Sequence, residues 1–65
     1  MDLRQLAEEY SASADKLIRG LERIREQQAA ARGELALELA RRAEVMSLEI
    51  ADLRSMARFL REYYA

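Results

Sequence analysis

Cysteine, histidine and proline are all missing from this sequence, and glycine occurs only at Gly20 and Gly33. Without cysteine there is no disulfide and no thiol nucleophile. Without histidine as well, the common zinc and haem ligand sets cannot be assembled, nor the Glu-x-x-His pairs of di-iron bundles. Two isolated glycines make no phosphate-cradling loop. These gaps lead to the expectation of no enzymatic activity, no cofactor and no bound metal. No apolar run approaches the ~20 residues that a membrane span needs. Met1 to Leu6 shows none of the features of a signal peptide. The expectation is a soluble cytoplasmic chain, and ten arginines against a single lysine suggest a GC-rich bacterial or phage source. The 11 basic and 12 acidic residues are interspersed and leave a net charge of −1. That balance exerts no strong pull toward nucleic acid or an anionic membrane.

What is abundant is Ala, Leu, Glu and Arg, all strong helix formers. Between Leu39 and Tyr64 two apolar columns recur every seven residues. One is Leu39, Met46, Leu53, Leu60; the other is Ala36, Ala43, Ile50, Ala57, Tyr64. They are the a and d positions of an unbroken heptad seam, and none of them is charged. A weaker seam runs through the first half, with Leu3, Tyr10, Leu17, Ile24, Ala31 beside Ala7, Ala14, Leu21, Gln28, Leu35. No seam position is acidic, so the sequence holds no paired carboxylates for a dry catalytic pocket.

The two seams are out of phase by one residue, and the slip falls near Gly33, where a left-handed residue can end a helix. Asp2 is a suitable N-cap for the first helix. Gly20 lies far from either end and reads as a close-packing position. Folding the chain so that facing residue numbers sum to 67 joins a to d positions throughout. Leu3 meets Tyr64, Ala7 Leu60, Tyr10 Ala57, Ala14 Leu53, Leu17 Ile50, Leu21 Met46, Ile24 Ala43, Gln28 Leu39 and Ala31 Ala36. Several layers set a small residue against a large one, as a seam of constant width requires. The predicted fold is one all-α domain over residues 1–65. It is an antiparallel two-helix hairpin, helix about 2–31 and helix about 34–64, turning at about Arg32–Leu35. The competing architecture is one continuous helix, roughly 90 Å long at 1.5 Å per residue, in an antiparallel coiled coil.

A hairpin of this size has a marginal core, and oligomerisation is the staple its composition leaves open. The second helix also carries apolar residues outside its seam: Leu37, Val45, Leu48, Met56, Phe59 and Tyr63. Leu37, Leu48 and Phe59 are eleven apart, three helical turns, and so share a face. The expectation is a homodimer forming a four-helix bundle, with Leu37, Val45, Leu48, Met56 and Phe59 as the oligomer or partner interface. A second candidate surface is a basic zone of Lys16, Arg19, Arg23, Arg25, Arg41 and Arg42, which could contact nucleic acid. Its acidic neighbours, Glu22, Glu26, Glu44 and Glu49, favour a solvated flank instead. The layout of a short chain, a central turn and a dimeric four-helix bundle resembles the small plasmid-copy-number RNA-binding proteins of the Rop type. The resemblance is one of layout, and it carries no RNA-contacting residue onto this chain. The functional expectation is a small non-catalytic interaction or regulatory module acting through homo-oligomerisation and helix-face protein contacts, whose partner the sequence does not name. The alternative is a Rop-like nucleic-acid-binding bundle.

Overall fold

The computed structural model describes residues 2–63 and consists of two antiparallel helices. They are α1 (Leu3–Ala30) and α2 (Gly33–Tyr63). The principal extents are 48 × 15 × 14 Å. That length is half of what one continuous helix would span, so the chain is a hairpin. Its radius of gyration is 14.8 Å, against about 11 Å for a compact globule of the same length. The described residues form a two-helix slab with no third layer.

The start of α1 is fixed by local chemistry. Asp2 has extended backbone and is the N-cap. Its Oδ1 accepts from the Gln5 amide at 2.9 Å, and Gln5 Oε1 accepts from the Asp2 amide at 3.2 Å. This reciprocal capping box satisfies two of the amides that a helix start leaves open. At the other end the Ala31 amide donates to the Gln28 carbonyl at 3.2 Å, and Ala31 itself is extended.

The turn is tighter and earlier than the sequence expectation of Arg32–Leu35. Only Ala31 and Arg32 lie between the helices, and Gly33, at φ +61°, is the first residue of α2. Ala31 is extended and Gly33 left-handed, and the chain reverses over these few residues. Glu34 and Leu35, both good helix formers, therefore belong to α2. Glu34 in its first turn suits the positive end of the helix dipole. The expected helix of about 2–31 accordingly runs 3–30, and that of about 34–64 begins at Gly33. Tyr64, and with it the Leu3–Tyr64 layer, lies outside the described residues.

The core is one seam between the helices. It contains Ala7, Ala14, Leu21 and Ile24 from α1 and Leu39, Ile50, Ala57 and Leu60 from α2. All eight remaining layers of the 67 register consist of buried or half-buried residues. Gly20 sits inside α1 as a close-packing position, since a Cβ there would stand 2.9 Å from Cε of Met46. Met46 is the expected partner of the adjacent Leu21, so this closeness of α1 and Met46 agrees with the 67 register mid-seam. Three of the eight core residues are alanines, and burying a large aliphatic side chain stabilises by only about 1.5–3 kcal/mol. The hairpin's own core is therefore thin. No helix among the described residues is long and apolar enough to cross a membrane.

Candidate interaction surface

The two helices differ in what they leave outside. The positions of α1 facing away from α2 are polar or alanine, among them Glu8, Ala12, Asp15, Arg19, Arg23 and Glu26. α2 leaves a row of large apolar side chains in solvent. Leu37 is 64% exposed, Val45 53%, Leu48 63%, Met56 47% and Phe59 62%. These are the five residues expected from the sequence, and the structure places every one of them outside the core.

Their spacing makes them a surface. Leu37, Leu48 and Phe59 form one line, three turns between neighbours. Val45 and Met56, also eleven apart, form a second line beside it. At about 100° of rotation per residue, the Leu37–Leu48–Phe59 line lies about 180° from the α2 seam and the Val45–Met56 line about 110° from it. α1 cannot cover them. Tyr63 extends the stripe, with its ring 6.1 Å from that of Phe59 and tilted by 31°. Leu35, 59% exposed, is a further apolar residue that the sequence reading assigned to the turn. The signal that could have found it is its distance of four residues from Leu39, which continues the helical pattern once the turn is moved back.

The six basic residues are dispersed. Lys16, Arg19 and Arg23 follow an i, i+3, i+7 spacing on the far side of α1. Arg25, two residues beyond Arg23, points about 200° away from it. Arg41 and Arg42 instead border a shallow groove of about 460 Å³ with Leu17, Glu38, Val45 and Met46. Arg41 also borders a groove with Glu34, Leu37 and Glu38, which puts it within the apolar stripe. Helical rotation thus divides one cluster in sequence among three directions in space.

On the opposite side of the hairpin, the small residues Ser11, Ala14 and Ala57 leave a groove of about 290 Å³, bordered by Asp15, Arg54, Arg58, Arg61 and Glu62. Arg61 Nη2 donates to Ser11 Oγ at 2.7 Å. No buried polar side chain occurs among the described residues. Nor do any three His, Cys, Asp or Glu residues there come together as a metal site. No protein-family description, curated protein or solved structure matches this chain.

Proposed function

We propose that this chain is a non-catalytic helical interaction module of the cytoplasm that acts by pairing with itself and with other proteins through the outer face of α2. The observation that carries the reading is the row of five large apolar side chains, each about half exposed or more, on one side of one helix. Contiguous apolar patches of this kind mark interaction surfaces, whereas scattered single residues do not. The thin internal core supports the same reading, because a chain this short needs a staple and has no disulfide. Two hairpins joined through this face give a four-helix assembly with two-fold symmetry. The basic residues support the nucleic-acid alternative less well, because they do not converge on one face and the net charge is −1.

The test replaces Leu37, Leu48 and Phe59 together with glutamine. All three point away from the seam, so the variant keeps its far-UV helicity when diluted. Light scattering at micromolar concentration should give a multiple of the 7.5 kDa chain mass for the native protein and the single-chain mass for the variant. Equal masses for the two proteins would sink the reading.

A further inference from the structure

The outer stripe of α2 is not purely apolar. Arg41 and Asp52 lie within it, eleven residues apart, one of each sign, and both are exposed. Neither side chain forms an ion pair or hydrogen bond within the described chain. We propose that the stripe is covered by α2 of a second copy, antiparallel, in the register that sets Arg41 against Asp52 of the partner subunit. This inference rests on the self-pairing reading above and specifies its geometry.

The register follows from the residue numbers. In an antiparallel pair related by a two-fold axis, facing positions sum to a constant. Arg41 and Asp52 sum to 93, and so do Leu37 with Met56 and Val45 with Leu48. One choice therefore sets apolar against apolar at four layers, and opposite charges against each other at two. The axis passes between Met46 and Ser47. On one flank, helices in this arrangement bring together positions whose sum is two lower, and Arg42 and Glu49 sum to 91. That adds a second ion pair, also repeated by the symmetry.

Neighbouring registers lose this match. The stripe repeats every eleven residues, so a slide of eleven is the natural competitor. In one direction it sets Arg41 against Arg41 of the partner subunit. In the other it sets Asp52 against Asp52 of the partner subunit. A parallel pair in register does both. Like charges facing each other across an interface disfavour those arrangements, so Arg41 and Asp52 choose the register while the apolar rows provide the adhesion. The stripe from Leu37 to Phe59 is about 33 Å long at 1.5 Å per residue. The two α2 helices then form the middle of the assembly, with each α1 outside.

Charge reversal tests the pairing, read as a dissociation constant by sedimentation at low salt. Arg41→Asp alone and Asp52→Arg alone should each weaken association by about tenfold or more, because each single change creates two like-charge contacts. The double variant Arg41→Asp/Asp52→Arg restores opposite charges only in the antiparallel register, and should return to within about threefold of the native value. Far-UV circular dichroism checks that all variants stay helical. A native dimer indifferent to the single reversals, or a double variant as weak as either single one, overturns the register but leaves self-pairing intact. A native chain that stays at monomer mass overturns both, and assigns the stripe to a different protein.

Discussion

α1 and α2 are of similar length and composition, yet only one of them is satisfied by the other. α1 has a single apolar stripe, all of it turned toward α2, and a polar or alanine far side. α2 has a seam toward α1 and a second apolar row about 110–180° around its axis, at about 100° per residue. A helix apolar on two sides packs in two directions. The difference separates the part of α2 that builds the hairpin from the part that does not. The seam of α2 builds the fold, and its outer row takes no part in it; under the proposed function that row is the interaction surface.

Two residues of α2 separate these roles most sharply. Ile50 is 6% exposed and Leu48 is 63% exposed. Ile50→Ala should lower the unfolding free energy by about 2–4 kcal/mol, since it opens a cavity in a core with few large side chains. Leu48→Ala, measured by the same urea titration at a dilution where chains are separate, should change it by less than about 0.5 kcal/mol. Equal losses for the two substitutions would abolish the distinction between seam and outer row.

A smaller effect is expected at the turn. Gly33→Ala forces a Cβ into the left-handed region, which costs roughly 1–2 kcal/mol. Apart from the adjoining residues and the backbone of its own helix, no atom lies within 4 Å of the added Cβ, so the cost is one of backbone strain. The loss should appear as a lower urea midpoint with an unchanged slope. A neutral result would mean that the turn relaxes and that glycine is not what positions it.

The smallest effect belongs to the close approach in α1. Gly20→Ala gains about 1 kcal/mol of helix propensity. The new methyl, however, displaces the flexible end of Met46, which stands 2.9 Å from its position. The two terms oppose, and the net change in thermal stability should stay within about 0.5 kcal/mol. A loss above 1 kcal/mol would show that Met46 is held in place more firmly than a chain-end methyl normally is.

Most of the hairpin was legible in the sequence because its seam is heptadic and its layers alternate large and small. Heptad phase fixes which residues face inward, so the register summing to 67 is legible from residue numbers alone. Phase is less informative about where a turn begins. A one-residue slip and one glycine were compatible with a turn at Arg32–Leu35, and the structure puts it at Ala31–Arg32. Leu35 moved with it, from the loop to the helix. Half of the α1 start was visible in Asp2, while the reciprocal role of Gln5 required attention to the third helical residue. The outer row was legible for the same reason as the seam, since a spacing of eleven is three whole turns. The directions of the basic residues were not legible from their nearness in sequence, because Arg23 and Arg25, two residues apart, are about 200° apart around a helix.

The account stands or falls on whether the outer row of α2 is covered by a second chain. Sedimentation equilibrium of the native protein across a concentration series measures this directly. The expected result is a mass that rises with concentration from 7.5 kDa to a plateau at twice that value. A mass fixed at 7.5 kDa up to about 100 μM would contradict it, since a dimer weaker than that gains less than about 5.5 kcal/mol from a stripe 33 Å long.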